Sequence, residues 1–255
     1  MRIYIPPIKI MEKIRLDKFL TSQNICSRKE AGILARKGEI TVDGVSVKSA
    51  DIKIDPESSK VAVKGKEISY SKYIYIMLNK PEGVVSARED GACPTVIDIL
   101  PDEWKRMDIA PAGRLDKNTT GLLIITDDGD FTHRMLSPKS GIYKEYEAVL
   151  DDEITEEDVK KFADGIKTET AEFLPARMWL PDESDKYKAR VRICEGKFHQ
   201  VKRMFAYCGK QVVRLRRLSI GSLHIDEKLA LGESRLLSED EKNNVFLDML
   251  HKNEV

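Results

Sequence analysis

The sequence predicts an α+β protein in which a small module precedes a larger domain with a mixed, mainly antiparallel sheet flanked by helices. Segments typical of strands are many and interleave with few helices, which argues against a doubly wound parallel sheet. Charge also changes along the chain. Residues 1–72 carry 15 Lys and Arg against 9 Asp and Glu, whereas the whole chain of 255 residues carries 43 of each. This asymmetry indicates a first module that faces a polyanion.

These changes divide the chain into four parts. We expect an N-terminal extension at residues 1–13, the small module at 14–70, the larger domain at 74–235 and a helical tail at 236–255. The tail begins at Ser238, a residue type that favours the N-cap of a helix.

Two helices and a hairpin account for most of the small module. Apolar residues recur at helical spacing over residues 16–20, which predicts a first short helix. Ser27 and Glu30 form a capping box, and Gly38 marks the end of the helix that they begin. Residues 40–47 then read as a hairpin with a tight Asp-Gly turn, and short strands are expected near residues 52–54 and 61–63.

A basic face covers the two helices of the small module. Solvation of an ordinary charged surface is one interpretation, and binding of phosphates is the other. The candidate phosphate ligands are Arg15, Lys18, Arg28, Lys29, Arg36 and Lys37.

The larger domain begins with a strand at residues 73–78 and a turn in the sequence K-P-E-G. A buried strand is predicted over residues 122–126, followed by a short helix that Asp130 caps. A second helix begins at the capping box of Thr155 and Asp158 and ends near Gly165.

A third helix is predicted by an apolar stripe that Gly209 closes. Its members recur at i, i+3, i+7 and i+10: Phe198, Val201, Phe205 and Cys208. Lys202 and Arg203 lie off the stripe and are expected to face solvent or a cleft. From Arg190 to Arg217 the chain carries nine Lys and Arg against one Glu, which indicates a second surface for RNA.

Arg114 and Asp116 are the most informative residues of the larger domain. If the segment that holds them is an extended strand, side chains at i and i+2 share one face, and Leu115 points into the protein. A carboxylate beside a cation, held rigidly, suits covalent chemistry on a polyanion. On these residues alone, a structural salt bridge is the commoner interpretation.

Several functional classes lack support in the sequence. Neither G-x-x-x-x-G-K-[ST] nor G-x-G-x-x-G occurs, and the acidic residues 127–130 lack the further ligands of a calcium loop. The four cysteines form no C-x-x-C pair, which favours reduced thiols in a cytoplasmic protein over a zinc site. No apolar run reaches the ~18 residues of a membrane span. We therefore expect no cofactor, no metal and no membrane.

Two sets of motifs resemble known families. The strings R-L-D-K-F-L, S-R-K-E-A and G-E-I-T-V-D-G, within residues 14–70, resemble the S4 RNA-binding domain. Four later strings, taken in order, resemble the pseudouridine synthases that carry an S4 domain at the N-terminus. They are K-P-E-G-V-V-S at 80–86, G-R-L-D-K-N-T-T-G-L-L at 113–123, K-E-Y-E at 144–147 and E-G-K-F-H-Q-V-K-R-M-F at 195–205.

The resemblance implies a role for each of four residues. Asp116 matches the catalytic carboxylate, which either adds to the sugar or assists a glycal intermediate. Lys202 matches the basic residue that pairs with this carboxylate, a position at which many synthases have Arg. Tyr146 matches the aromatic residue that stacks on the target base, and Arg114 matches the residue that fills the space left by the extracted nucleotide.

The resemblance assigns further residues to the pocket and to RNA. Ile220 and Leu223 are expected to wall the pocket, with a plain core role as the alternative. Lys80 is expected to shape the site, and both Lys80 and Arg203 are expected to contact RNA.

The resemblance also implies the substrate. F-H-Q-V-K-R-M-F is most similar to synthases of the small ribosomal subunit, whereas relatives that act on the large subunit more often show R-Q-[IV]-R-R. The expected partner is therefore 16S rRNA or a partly assembled small subunit, with uridine 516 as the target, and the expected state is a monomer. A synthase for 23S rRNA and a non-catalytic RNA-binding assembly factor are the alternatives.

Overall fold

The computed structural model describes residues 13–247, so most of the expected N-terminal extension and the end of the tail lie outside it. The chain folds into two compact units. The first contains the segment up to Lys72 together with Pro101–Met107, and the second contains Tyr73–Leu100 and the chain from Asp108 onward. Among the described residues, no helix is long and apolar enough to cross a bilayer.

The first unit packs two helices on short antiparallel strands. Its elements are β1 (Ile14–Arg15), α1 (Leu16–Ser22), α2 (Arg28–Arg36), β2 (Ile40–Val42), β3 (Val45–Ser46), β4 (Lys53–Ile54), β5 (Val61–Val63) and β6 (Lys66–Ile68). Strands β3, β2, β5 and β6 form one sheet in that order, and β1 pairs with β4. Leu16, Phe19 and Leu20 are fully buried at the centre of this unit.

Local sequence signals explain how this unit folds. Ser27 and Glu30 form the predicted capping box, so two backbone N–H groups at the start of α2 have acceptors. The turn between β2 and β3 places Asp43 and Gly44 at φ 51° and 81°, the conformation that an Asp-Gly hairpin turn requires. These predictions are confirmed.

The second unit is built on a nine-stranded mixed sheet. Its strands are β7 (Tyr75–Lys80), β8 (Ala110–Ala112), β9 (Thr119–Thr126), β10 (Lys144–Leu150), β13 (Arg177–Trp179), β14 (Lys188–Ile193), β15 (Val212–Ile220), β16 (Leu223–His224) and β17 (Ser234–Leu236). The order is β13-β14-β10-β15-β9-β7-β17, with β16 beside β15 and β8 beside β9. Among the strand pairs described in this sheet, only β9–β15 is parallel, which confirms the predicted mixed, mainly antiparallel sheet.

Helices flank this sheet. They are α3 (Gly129–Leu136), α4 (Glu156–Asp164), α5 (Gln200–Tyr207) and α6 (Glu239–Asn244), with a 3-10 turn at Pro138–Ser140 and a small ribbon of β11 (Ile166–Lys167) and β12 (Glu172–Phe173). A further 3-10 turn, Asp102–Trp104, belongs to the first unit. Phe162 of α4 contacts Phe205 of α5, with ring centroids 4.8 Å apart. Phe131 and Met135 of α3 pack against Met77, Leu122 and Ile124 of the sheet.

Two predictions about helix ends are wrong. Asp128, not Asp130, caps α3 by accepting a hydrogen bond from the Phe131 N–H at 3.0 Å. Phe198 lies before α5 rather than on its buried stripe, and 75% of its surface is exposed. The apolar pattern extends two residues before Gln200, the first residue of the helix. Predictions from periodicity often misplace a helix end by one or two residues.

Gly121 allows β9 and β15 to approach closely. Its φ is +100°, and a Cβ placed there would lie 2.2 Å from the Arg217 carbonyl oxygen and 2.8 Å from the Arg217 nitrogen. Both atoms belong to the backbone of the parallel partner strand, so neither can move without disrupting the centre of the sheet.

We therefore expect Gly121→Ala to lower the free energy of unfolding by ~3 kcal/mol or more, because it combines backbone strain with a steric clash. Gly129→Ala is the matched control. Gly129 lies in the first turn of α3 with open space around its Cα, so this variant should be neutral or more stable by up to ~1 kcal/mol. Urea denaturation measures both, and equal midpoints for the two variants would contradict this account.

Candidate active site

A cleft opens in the second unit where the loop before β9 meets the start of α5. Strands β10, β14 and β15 form its floor through Tyr146, Ile193 and Leu215. Arg114, Asp116, Thr119, His199 and Gln200 supply polar atoms around it. The structure thus brings together three of the four residues to which the resemblance gave catalytic roles, and the fourth, Lys202, contacts one of them.

Asp116 lies in the loop between β8 and β9, not on a strand as the sequence analysis expected. The loop is fixed from both sides. Ser86 accepts a hydrogen bond from the Leu115 N–H at 3.0 Å and donates one to the Leu115 carbonyl at 2.8 Å. The Thr119 N–H donates to the Asp116 carbonyl at 3.0 Å, which closes a turn. The carboxylate is therefore held on a well-braced loop, and Leu115 points inward as expected.

Two basic side chains at the start of α5, those of His199 and Lys202, lie beside the Asp116 carboxylate. Lys202 Nζ is 3.1 Å from Oδ2, and His199 Nε2 is 3.4 Å from Oδ1. Lys202 Nζ also donates to the Asn118 side-chain oxygen at 2.6 Å, and the lysine side chain is only 22% exposed. Lys202 thus joins the helix to the loop that carries Asp116.

His199 is a site residue that the sequence analysis did not identify. It is the N-cap of α5 and adopts the left-handed conformation (φ 51°, ψ 31°), which is uncommon for a residue other than Gly, Asn or Asp. Its imidazole stacks on Phe198 at a centroid distance of 3.8 Å. The only signal in the sequence was its place in the string F-H-Q-V-K. Unusual backbone conformations of this kind cluster at functional sites.

Tyr146 lies on β10 in the floor of the cleft and is 92% buried. Its hydroxyl accepts a long hydrogen bond, 3.5 Å, from Arg217 Nη1, and Arg217 Nε donates to the Leu122 carbonyl at 2.7 Å. Arg217 is a buried arginine that the sequence analysis counted only as part of a basic strip. Within residues 13–247, its Nη2 has no hydrogen-bond partner, so a donor remains available beside Tyr146.

Arg114 lines the cleft but does not pair with Asp116. It is exposed, and within the described part of the chain no hydrogen bond or ion pair to it is found. The sequence predicted that Arg114 and Asp116 share one strand face. In the structure, they instead line the same cleft without contact between their side chains. The cation in contact with Asp116 is Lys202.

Ile220 and Leu223 do not wall the cleft. They are 1% and 2% exposed and pack with Leu122 and Ile124 in the core beneath α3. Ile220 ends β15 and Leu223 begins β16, and neither is among the residues that line the cleft. Leu115, Ile193, Val201 and Leu215 provide the apolar lining instead.

Lys80 cannot contact RNA directly, which corrects that prediction. It is fully buried, and its ammonium donates to the carbonyls of Pro81 at 2.9 Å, Lys117 at 3.3 Å and Thr119 at 3.0 Å. Two of these acceptors, the carbonyls of Lys117 and Thr119, belong to the same loop as Asp116 or to the strand residue that ends it. Lys80 therefore braces the loop of Asp116 from within, in agreement with the expectation that it lies at the site.

The remaining candidate RNA ligands lie on the surface. Arg15, Lys18, Arg28, Lys29, Arg36 and Lys37 are all exposed on the first unit. Arg15 is already engaged by Asp17, at 2.8 Å, and by Asp51. In the second unit, Arg203 donates to the Thr170 hydroxyl at 2.7 Å and lies over the Phe173 ring.

No metal site is found among residues 13–247, since no group of three or more His, Cys, Asp and Glu side chains converges there. All four cysteines are free thiols.

Burial sets the protonation of Lys80. Desolvation lowers its pKa to about 8, although the nearby charges of Asp116 and Glu82 act in the opposite direction. Between pH 8 and the ordinary lysine pKa of 10.5, the folded protein has released a proton that the unfolded chain still holds. The unfolded state then binds more protons, so stability rises with pH across this window.

We expect the wild type to gain about 2–3 kcal/mol of unfolding free energy relative to Lys80→Met as the pH rises from 8 to 10. Other titrating groups, including buried Lys144, occur in both proteins and cancel in the difference. Urea denaturation at a series of pH values measures it. A difference that stays constant over this range would show that the Lys80 ammonium carries no desolvation cost.

Comparison with known proteins agrees with this geometry. The RNA pseudouridylate synthase family model matches residues 74–207, and the S4 domain model matches residues 14–58. A ribosomal small subunit pseudouridine synthase A of Vibrio cholerae is 43% identical over 91% of this chain and 100% of its own length. An uncharacterised RNA pseudouridine synthase of Bacillus subtilis is 41% identical over 89% of this chain and 96% of its own.

Solved structures give the same result. The crystal structure of a pseudouridylate synthase superposes with a TM-score of 0.63 at 34% identity, covering 91% of this chain and 99% of that one. Together with the matched domains, this confirms the resemblance inferred from the sequence. The chain belongs to the RNA pseudouridine synthases with an N-terminal S4 domain, and it is an isomerase that acts on RNA.

Proposed function

We propose that this enzyme converts one uridine of 16S rRNA, at position 516, into pseudouridine, in the free RNA or in a partly assembled small subunit. The relatives from Vibrio and Salmonella, 40–43% identical, are named as synthases of the small ribosomal subunit. The string F-H-Q-V-K-R-M-F at the start of α5 supports the same substrate. Ribosomal RNA as substrate implies a cytoplasmic enzyme.

The reaction is an isomerisation in which no cofactor needs to be consumed. The bond between C1′ of the ribose and N1 of uracil breaks, and a bond between C1′ and C5 forms. The proton on C5 leaves, and N1 gains one, so atoms and electrons balance within the nucleotide. The enzyme must therefore stabilise positive character at C1′ while it retains the detached uracil.

We assign the first task to Asp116. Its carboxylate lies in the cleft, and Oδ2 forms an ion pair with Lys202 Nζ at 3.1 Å. The ionised oxygen either adds to C1′ or assists a glycal intermediate. Lys202 carries the charge that the resemblance leads us to expect, with a point ammonium in place of the guanidinium fork of Arg.

We assign retention of the uracil to Tyr146. Its ring lies in the floor of the cleft and is fixed by its place in a central strand. Stacking on an aromatic face lets a base turn without breaking directional hydrogen bonds, which an isomerisation through a detached base requires.

Arg114 is suited to contact the RNA from which the target nucleotide has been flipped out. A flipped nucleotide costs a few kcal/mol of lost stacking and pairing. The exposed guanidinium of Arg114 at the cleft, free of partners among residues 13–247, supports a role in occupying the vacated space and contacting nearby phosphates.

The first unit contributes affinity rather than chemistry. Five of its six candidate cations, all except Arg15, are exposed and form no ion pair within the described residues. Cations that neutralise phosphates release counterions and bind without regard to sequence. Arg203 belongs to the same proposal on the second unit. We further propose that the enzyme acts as a monomer.

The test of this assignment is Asp116→Asn. Because the amide cannot act as an anionic group at C1′, pseudouridine formation on a 16S transcript should fall by at least ~10³-fold. Affinity for the transcript should remain within about threefold, because no phosphate contact is lost. Asp130→Asn, an exposed position at the start of α3, is the matched control and should retain full turnover.

Retention of turnover by Asp116→Asn would make the catalytic assignment wrong. Mapping the product by sequencing 16S and 23S rRNA from a deletion strain decides the substrate. Loss of pseudouridine from 23S rRNA alone would show that the substrate is the rRNA of the large subunit. Binding without modification of either RNA would identify an assembly factor.

A further inference from the structure

The sheet divides the basic strip of residues 190–217 between two opposite faces. Successive residues of a strand point to opposite faces, and residues directly opposite on neighbouring strands share one. Tyr146, Ile193 and Leu215 face the cleft. Their chain neighbours Glu147, Arg192 and Arg216 therefore lie on the other face of the same three strands, which we call the back face.

Arginines from three strands meet on the back face. Arg192 of β14 is opposite Arg177 of β13, and Arg190 is opposite Trp179. On the other side, Arg216 and Arg214 of β15 are opposite Glu147 and Val149 of β10. With strands ~4.8 Å apart, the four strands place these arginines in a band about 14 Å wide.

Aromatic and acidic neighbours order part of this band. The guanidiniums of Arg177 and Arg192 lie 5.1 and 6.0 Å from the Trp179 ring, within the range of a cation–π contact. Arg190 spans Glu145 and Glu147 at 3.2 Å each. The two glutamates thus neutralise only part of the charge that the arginines bring.

Three arginines of the back face form no ion pair within residues 13–247 and can therefore bind an external anion. Within residues 13–247, no carboxylate lies within ion-pair distance of Arg177, Arg214 or Arg216. Arg177 and Arg214 are exposed, and the buried Nε of Arg216 has no acceptor there. Evenly spread guanidiniums with few balancing carboxylates complement a chain of phosphates, because each guanidinium can form a bidentate contact with one phosphate.

We propose that the back face binds the phosphate backbone of a structured RNA segment away from the target uridine. A nucleotide seated in the cleft cannot reach this face, because the sheet lies between them. The RNA must therefore extend around the edge strand β13, so only a long, folded substrate uses both faces. This inference rests on the proposed function for the nature of the substrate, but not for the position of the target uridine.

The experiment compares a full-length 16S transcript with a short hairpin that carries the target uridine in its unmodified form. In the variant Arg177→Ala/Arg214→Ala/Arg216→Ala, we expect affinity for the long transcript to fall about tenfold or more at ~0.1 M salt. The slope of log K against log salt should become shallower by about two to three, as expected for three lost phosphate contacts. Single-turnover rates on the short hairpin should remain unchanged.

Two control variants separate phosphate binding from general charge and from folding. Replacement of the same three arginines by Lys keeps the charges and should keep most of the salt slope. Lys139→Ala/Lys160→Ala/Lys228→Ala removes three exposed cations from elsewhere on this unit and should change affinity by less than about threefold. Equal urea midpoints for all variants exclude a folding defect as the cause.

Each outcome decides the proposal. The proposal is wrong if the triple alanine variant of the arginines binds the long transcript with wild-type affinity. It is also wrong if this variant loses no more affinity than the control in which Lys139, Lys160 and Lys228 are replaced by Ala. A loss seen only with particles that contain ribosomal proteins would assign the back face to a protein and also overturn it. Failure of the proposed function is distinct, since the wild type would then modify 16S rRNA neither as free RNA nor in a partly assembled small subunit, whatever the back face binds.

Discussion

The contact between Asp116 and Lys202 is the interaction on which the site depends. It joins a loop that follows β8 to the first turn of α5, two segments far apart in the chain. Several other features serve to hold its two sides in place. The Lys80 ammonium and the Ser86 hydroxyl fix the loop, and the His199 carbonyl accepts a hydrogen bond from the Arg203 N–H at 2.9 Å at the start of the helix. A cleft built on such braced elements keeps the carboxylate oriented before any RNA arrives.

The central sheet gives the protein two separate surfaces. Its parallel β9–β15 pair, possible because Gly121 lacks a side chain, brings Thr119 and Leu215 together at the cleft. The opposite face of β10, β13, β14 and β15 carries the arginine band. Strands β10, β14 and β15 therefore contribute both to the floor of the proposed catalytic site and to a candidate surface for the rest of a large RNA. The alternation of a β-strand makes this division unavoidable.

Local signals predicted local structure well. The capping box of Ser27 fixed the start of α2, that of Thr155 fixed the start of α4, and the Asp-Gly turn fixed the hairpin, because each depends on residues within a few positions. The family motifs identified Asp116, Tyr146 and Lys202, which the fold brings to one cleft. Their roles stay proposals.

The errors arose where long-range packing decides the outcome. Ile220 packs with Leu122 and Ile124, residues distant in the chain, and no local pattern indicates this contact. Lys80 is buried because three carbonyls of a distant loop converge on it, which only the tertiary fold reveals. His199 was missed because its significance lies in its backbone conformation and in its distance to Asp116.

The most direct measurement is the single-turnover rate of Lys202→Met compared with that of Lys202→Arg, both on a 16S transcript at saturating enzyme. If Lys202 supports the Asp116 carboxylate, the Met variant should slow the chemical step by ~10²–10³-fold, as expected for loss of one charge at a reacting centre, while the Arg variant stays within about tenfold of the wild type. Affinity for RNA should change little in either. A Met variant with the wild-type rate and weakened RNA binding would contradict the account, because Lys202 would then serve a phosphate rather than the carboxylate.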